Sequence, residues 1–234
     1  MAITTVLFDL DGTLLPMDQE VFIKHYFMGL SKKFAQYGYD PSDLSTAVWG
    51  GTKAMIKNTG ERSNEDVFWD AFVAVYGERV LQDKHHFDEF YYSEFQDIKN
   101  ICGHTEKSAA ILRAIKDAGM RVALATNPIF PSIATESRIR WAGLEPEDFE
   151  LYTTYENINY CKPNPEYYLE VTRRMGVSPE ECLMVGNDVS DDMCARKLGM
   201  EVFLLTDCLI NHNNEDISQY PHGGFDALFR FLGL

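Results

Sequence analysis

The sequence Thr4–Thr13, TTVLFDLDGT, runs from a short apolar and β-branched segment into two aspartates and a glycine. A continuous apolar run bounded by turn residues is typical of a strand buried on both faces of a parallel sheet. Asp9 and Asp11 then stand at the carboxyl end of that strand, where open α/β sheets bind ligands. Two carboxylates this close are costly to bury without a cation, so the stretch predicts a site for a hard divalent cation. A solvated turn that closes the strand is the alternative interpretation.

The same apolar texture recurs along the chain and alternates with helical patterns. Further strands are predicted at Arg121–Ala125, Cys182–Val185 and Glu201–Leu205, with a weaker one at Leu151–Thr154. Predicted helices cover Glu106–Ala118, Ser132–Ala142, Pro165–Met175 and Asp191–Leu198, and each ends at or next to a glycine. Glycine takes the left-handed conformation that ends a helix at little cost. The alternation predicts an α/β fold with a doubly wound, Rossmann-like parallel sheet.

Residues 16–100 have a different texture, with helical periods and no convincing strand. Aromatic and aliphatic residues recur at helix spacing, and Ser63 is the predicted N-cap of a helix over Asn64–Tyr76. We therefore expect two domains. One is an α/β core formed by residues 1–15 and 101–234, and the other is an inserted α-helical cap formed by residues 16–100. The aromatic stripes are expected to form the core of the cap.

The segment Trp49–Lys53 within this insertion is a candidate for contact with a substrate. Two glycines interrupt a helical pattern there, and a tryptophan and a lysine flank them. Such a loop suits a stacked or charged group, so Trp49, Gly51 and Lys53 are the candidate specificity residues. A plain turn between two helices is the alternative.

Composition and charge exclude several classes of function. The chain has 234 residues and a formal net charge of −15, and a field of that sign repels nucleic-acid phosphates and anionic lipid. The sequence shows no signal peptide at its start and no apolar stretch near the roughly 18 residues of a membrane span. Its five cysteines include no C-x-x-C pair, which favours reduced thiols in a cytoplasmic protein. We expect no nucleic-acid or membrane partner, and either a monomer or a homodimer.

Polar side chains follow other predicted elements of the core. Thr126 and Asn127 offer a hydroxyl and an amide at a strand-to-helix turn, which suits a phosphate oxygen. Lys162 stands in a loop that two prolines fix, and an acidic cluster, Asp188–Asp192, follows the strand that ends at Val185. Each signal alone has an ordinary explanation, such as a solvated lysine or acidic residues at a helix N-terminus. Together they are the parts needed to hold, neutralise and attack a phosphoryl group.

In this order, the four segments resemble the motifs of the haloacid dehalogenase superfamily of phosphohydrolases. The motifs are DLDGT at residues 9–13, ATN at 125–127, CKPNP at 161–165 and GNDVSDD at 186–192. The resemblance covers nearly the whole chain, and the insertion at 16–100 resembles the helical cap that such proteins carry after the first strand. It implies a parallel core sheet with strands in the order 5-4-1-2-3. It also implies Mg²⁺-dependent hydrolysis of a small phosphorylated metabolite.

The resemblance assigns roles to individual residues. Asp9 would be the nucleophile that forms an aspartyl-phosphate, and Asp11 would be the general acid–base. Thr126 and Asn127 would hold the phosphoryl group, and Lys162 would balance its charge. The implied ligands of Mg²⁺ are Asp9, the backbone carbonyl of Asp11, and Asp188.

The last motif departs from the family pattern at one position. Many members have an aspartate directly after the glycine, where this chain has Asn187. Asp188 and Asp192 keep a D-x-x-x-D spacing, so we expect Asp188 to be the metal ligand, with Asn187 and Asp192 as supporting residues. Asp191 is the alternative to Asp192 if the register differs by one.

Other activities of the same superfamily are alternatives. The 2-haloacid dehalogenases need no metal and lack the second aspartate of the first motif, so Asp11 disfavours that reaction. A phosphonatase would need a cap lysine, such as Lys53 or Lys57, as a Schiff base, and a sugar phosphomutase would depend on a bisphosphate activator. A non-catalytic binding protein on the same scaffold is the alternative from a different class.

Overall fold

Strand β1, Thr5–Phe8, lies between two parallel neighbours in the computed structural model, which describes residues 2–234. Strand β2, Arg121–Leu124, pairs with it on one side, and β3, Cys182–Gly186, pairs with it on the other. Strands β4, Glu201–Leu205, and β5, His222–Gly223, continue the sheet beyond β3. Over residues 2–234 the sheet therefore has five strands, all parallel, in the order β2-β1-β3-β4-β5.

The strands alternate their side chains between two buried faces. The core helices are α5, Glu106–Asp117; α6, Ser132–Trp141; α7, Pro165–Met175; and α8, Phe225–Leu232. Val6 and Phe8 of β1 share one hydrophobic cluster with α5, α6 and α8, whereas Leu7 shares a second cluster with α7. Helices thus cover both faces of the sheet, which confirms the predicted doubly wound, Rossmann-like α/β fold.

The two edges of the sheet differ from the prediction. The segment Leu151–Thr154 forms only an isolated parallel bridge, from Tyr152 to Leu124. Asn157 Oδ1 accepts a hydrogen bond from the Thr154 N–H at 2.8 Å, which ends the pairing there. At the other edge, the sequence did not predict β5, because two residues carry no period-two pattern. The rest of the order implied by the resemblance is kept. The strand at Thr5–Phe8 lies between those at Arg121–Leu124 and Cys182–Gly186, and the strand at Glu201–Leu205 comes next.

The helix predicted at Asp191–Leu198 begins later than expected and is a 3-10 helix, Met193–Leu198. Asp188 accounts for the difference. Its Oδ1 accepts hydrogen bonds from the N–H groups of Ser190 at 2.7 Å and Asp191 at 2.9 Å, which holds these residues in a turn. Aspartate side chains compete with helix formation in this way.

Residues 16–100 are helical, and no strand occurs in this range. The α-helices are α1, Gln19–Ala35; α2, Pro41–Ile56; α3, Asn64–Tyr76; and α4, Lys84–Tyr92, with 3-10 helices at Glu78–Leu81 and Glu94–Ile101. Ser63 caps α3 as predicted, because its Oγ accepts a hydrogen bond from the Asp66 N–H at 3.1 Å. Aromatic residues of the cap share one hydrophobic cluster with Phe8 of β1. The division into a core domain and a cap domain stays a prediction.

Asn64, the first residue of α3, ties the cap to the core. Its side chain is fully buried, and its Nδ2 donates to the carbonyl of Pro128 at 3.3 Å and to Cys161 Sγ at 3.4 Å. Its Oδ1 accepts a hydrogen bond from Asn58 Nδ2 at 2.9 Å. One buried amide therefore joins the start of α3 to the loop that carries Lys162.

Neither disulfides nor membrane-spanning helices contribute to the fold over residues 2–234. The five cysteines are free thiols, and burial raises the pKa of Cys161 to about 12, so this thiol is protonated at neutral pH. No helix in the described range is both long enough and apolar enough to cross a bilayer.

The segment Trp49–Lys53, expected to be a loop, lies inside helix α2. Gly51 is buried where α2 packs against α3, and a Cβ at this position would overlap the ring of Phe68. A Cβ at Gly50 would meet open space. A glycine pair in a sequence indicates a turn, whereas here one glycine allows the close approach of two helices.

We expect Gly50→Ala and Gly51→Ala to have opposite effects on stability. Alanine at position 50 should raise the free energy of unfolding by about 0.5–1 kcal/mol, because glycine is that much less favourable inside a helix. At position 51 the overlap with Phe68 should outweigh the same gain, since overpacking costs about 1–3 kcal/mol. Urea unfolding measures both variants, and equal stabilisation by both would contradict the packing at Gly51.

Candidate active site

The first motif forms a tight turn at the carboxyl end of β1. The Asp9 N–H donates to the carbonyl of Val185 at 2.9 Å, so Asp9 still follows the strand ladder. Gly12 has a φ of +80°, and a Cβ there would overlap the amide of Asn187. Thr13 Oγ1 donates to Asp9 Oδ2 at 3.2 Å and to Asn187 Oδ1 at 3.0 Å. The turn therefore aligns Asp9 against the motif that follows β3.

Lys162 is the centre of a buried ion triad with Asp9 and Asp192. Its Nζ lies 2.9 Å from Asp9 Oδ1 and 2.6 Å from Asp192 Oδ1. Only 2% of Lys162 and 1% of Asp192 is exposed to solvent, so the charges are compensated inside the protein. Burial disfavours the ammonium, but Asp192 and Asp9 hold the pKa of Lys162 well above its usual value.

The second motif borders the same triad. The Lys162 N–H donates to Asn127 Oδ1 at 3.3 Å, and Asn127 Nδ2 donates to Asp191 Oδ2 at 3.3 Å. Thr126 is buried, and its carbonyl accepts hydrogen bonds from Thr153 Oγ1 at 2.6 Å and from the Tyr167 hydroxyl at 2.8 Å. These contacts fix the backbone of the turn.

The polar side chains of the last motif differ in how many of their hydrogen-bonding atoms have partners within the protein. Asn187 uses both ends of its amide, because its Oδ1 accepts from Thr13 and its Nδ2 donates to the Cys208 carbonyl at 2.6 Å. Asp192 Oδ2 accepts from the Asp188 N–H at 2.9 Å, while its Oδ1 binds Lys162. Asp188 Oδ1 holds its own turn.

One cavity of about 290 Å³ brings the predicted residues together. The predicted residues that line it are Asp9, Asp11, Thr126, Asn127, Lys162, Asn187, Asp188, Asp191 and Asp192. Cap helices form the opposite wall, to which Trp49 and Thr52 contribute from α2. Gly51 and Lys53, expected beside Trp49, are not among the lining residues, because Gly51 faces Phe68 and Lys53 is exposed.

The charges around this cavity fit a divalent cation. Lys162 is the only basic residue among the described residues that line it, against six aspartates. Burial raises the pKa of Asp9 to about 7 and of Asp191 to about 6, and it also raises the pKa of Asp11 and Asp188. Within residues 2–234, Asp11 Oδ1 is buried with no hydrogen-bond partner. Oxygen donors with excess negative charge are the ligands that Mg²⁺ prefers.

Arg138 on α6 is a residue of this site that the sequence interpretation missed. Its guanidinium forms an ion pair with Asp11 Oδ2, and only 1% of the residue is exposed. The guanidinium carbon also lies 4.4 Å from the ring centroid of Phe130. A signal was present, since Arg138 lies four residues after Ala134 and beside Ile139, both on the buried face of the helix. A cation on an apolar face indicates a buried partner.

Comparisons with known proteins show the family and the fold of this chain. The family model described as a haloacid dehalogenase-like hydrolase matches residues 3–199. The YhcW protein of Bacillus subtilis is 28% identical over 87% of this chain and 83% of its own length. A phosphoglycolate phosphatase of Aquifex aeolicus is 23% identical over 85% of this chain and 83% of its own length. The crystal structure of a HAD phosphatase from Thermococcus onnurineus, 21% identical, matches with a TM-score of 0.59 over 100% of this chain and 98% of that chain.

We expect Arg138→Leu to lower the free energy of unfolding by about 3–5 kcal/mol, because it leaves Asp11 without its counter-charge. Combining it with Asp11→Asn should recover much of that loss, since the uncompensated carboxylate is then gone. A double-mutant cycle of urea unfolding measures the coupling. Arg138→Lys, which keeps the charge, is the matched control, and additive effects of the two substitutions would contradict the ion pair.

Proposed function

The chain belongs to the haloacid dehalogenase-like hydrolases, and we propose that it is a magnesium-dependent phosphomonoesterase that acts on a small phosphorylated metabolite. The observation that supports this most directly is the ion triad of Lys162 with Asp9 and Asp192 on the wall of one cavity. The relatives' phosphatase activity points to the same reaction class. The free thiols are in keeping with a reducing, cytoplasmic compartment.

In the proposed first step, an oxygen of Asp9 attacks the phosphorus atom. A bond from Asp9 to phosphorus forms while the ester P–O bond breaks, and Asp11 gives its proton to the departing alcohol oxygen. Arg138 binds Asp11 Oδ2, which leaves Oδ1 to carry that proton. Burial, which raises the pKa of Asp11, favours the protonated form, while Arg138 opposes it.

In the second step, Asp11 takes a proton from a water molecule, and the water oxygen attacks phosphorus. The bond from phosphorus to Asp9 breaks, inorganic phosphate leaves, and both aspartates return to their starting states. Lys162 offsets the negative charge of Asp9 and of the phosphoryl group throughout, while Thr126 and Asn127 hold the phosphoryl oxygens. Positioning and local charge of this kind account for most phosphoryl-transfer catalysis.

Mg²⁺ would supply further positive charge against the phosphoryl oxygens. Asp9, the carbonyl of Asp11, and Asp188 would hold it. Asp188 is favoured over Asn187 because both ends of the Asn187 amide are already bonded within the protein. A site with two carboxylates and one carbonyl also suits an ion that keeps several waters.

The alternative reactions receive less support from the cavity. Lys53 and Lys57, which a phosphonatase would need in the cavity, are exposed and are not among the described lining residues. Asp11 is present, which disfavours dehalogenation. A phosphomutase would reveal itself by needing a bisphosphate activator.

Asp9→Asn should fold normally and lose phosphate release by roughly three orders of magnitude or more, in line with the loss of other catalytic nucleophiles. The amide is neutral and nearly the same size, so the melting temperature should stay close to that of the wild type. Asp226→Asn, an exposed aspartate bound to Lys107, is the control and should keep full activity. Phosphate release from Asp9→Asn at the wild-type rate would refute the covalent route.

Asp188→Asn should weaken Mg²⁺ binding by roughly tenfold or more, a size typical of substitutions around metal sites. The amide keeps an oxygen for the turn at Ser190 and Asp191, so a folding defect is not expected. Asp191→Asn is the matched comparison and should change Mg²⁺ binding less. Activity against Mg²⁺ concentration and the Mg²⁺-dependent rise in melting temperature both report the affinity. A larger effect of Asp191→Asn on Mg²⁺ binding would mean that Asp191, and not Asp188, is the metal ligand.

A further inference from the structure

The cap side of the cavity is built from aromatic rings. Within residues 2–234, ten aromatic side chains line the cavity, eight of them from the cap. Trp49 and Phe27 lie with ring centroids 5.5 Å apart, and Phe68 packs against Trp69 with centroids 5.4 Å apart. Rings arranged this way offer faces and edges to another flat ring.

The same wall lacks the positive charge that an anionic group would need. Among the described residues that line the cavity, Lys162 is the only cation, and Asp9 and Asp192 already bind it. The nearby Lys84 binds Glu65 at 3.3 Å and is not among the lining residues. Asp88 adds an exposed carboxylate to the lining. A carboxylate or second phosphate on the substrate would therefore meet no cation and one like charge.

We infer that the alcohol half of the substrate is an aromatic group without an anionic substituent. The inference rests on the proposed phosphatase function and narrows its substrate class. The phosphoryl group occupies the end of the cavity at Asp9 and Lys162, and the ring lies among Phe27, Trp49 and Phe68. The protein then differs from a phosphoglycolate phosphatase, whose substrate carries a carboxylate beside the phosphate.

A matched pair of esters tests the charge part of the inference. Phenyl phosphate and 4-carboxyphenyl phosphate share the ring and the ester oxygen and differ by one carboxylate. With Mg²⁺ present, kcat/KM for phenyl phosphate should be about tenfold or more above that for 4-carboxyphenyl phosphate, because like charges repel in the cavity. 2-Phosphoglycolate should be a poor substrate for the same reason.

Charge variants on the cap side of the cavity test which residue causes the preference for phenyl phosphate over 4-carboxyphenyl phosphate. Asp88→Lys should narrow the preference for phenyl phosphate, since it replaces the like charge by an opposite one. Val75→Lys introduces a lysine at an exposed position of α3 that is not among the lining residues, and it should leave the preference unchanged.

Ring variants test the stacking part. Trp49→Ala should raise the KM for phenyl phosphate by about two- to tenfold, in line with the strength of aromatic pairs, and should leave the KM for 2-phosphoglycolate unchanged. Tyr92→Ala removes an exposed ring of α4 that does not line the cavity, so it should change neither KM.

The outcomes separate the two proposals. If no ester releases phosphate with Mg²⁺ present, the proposed phosphatase function fails. If phosphate is released but 4-carboxyphenyl phosphate or 2-phosphoglycolate reacts as well as phenyl phosphate, the function stands and the aromatic, uncharged substrate class is overturned.

Discussion

The buried ammonium of Lys162 is the constraint on which the acidic end of the sheet depends. It sits between Asp9 and Asp192, which follow β1 and β3, so three segments far apart in the chain must meet at one point. Two buried carboxylates without this cation would be strongly unfavourable. Compensation of these buried charges therefore requires β1 to lie beside β3 and the loop before α7 to lie next to both.

The same ion pairs bear on how a chain with a net charge of −15 could bind a phosphate ester. Lys162 and Arg138 are each already compensated by aspartates, so the protein carries little spare positive charge toward a phosphoryl group. In the proposed function, a bound metal ion would supply further positive charge. An acidic cavity with so little spare positive charge would disfavour a second anionic group on the substrate, which is the basis for the inferred alcohol half without an anionic substituent.

The sequence predicted four of the five strands, because their apolar runs are unambiguous, and the motifs at residues 9–13, 125–127 and 186–192 lie at or directly after three of them. It was insufficient where structure depends on neighbours in space. Leu151–Thr154 has the composition of a strand, yet a side-chain bond from Asn157 limits it to one bridge. The glycines at 50 and 51 resemble a turn, yet helix packing against Phe68 explains one of them. The role of Arg138 depends on the position of α6 beside Asp11, which the sequence pattern does not give.

The hydrogen bonds of Asn64 link the position of α3 to that of the loop that carries Lys162. Its amide joins the first turn of α3 to the backbone at Pro128 and to Cys161, and Cys161 directly precedes Lys162. A movement of α3 away from the sheet would have to break these hydrogen bonds or displace the loop that carries Lys162. Through these hydrogen bonds, the position of α3 and the position of the Lys162 ammonium beside Asp9 depend on each other.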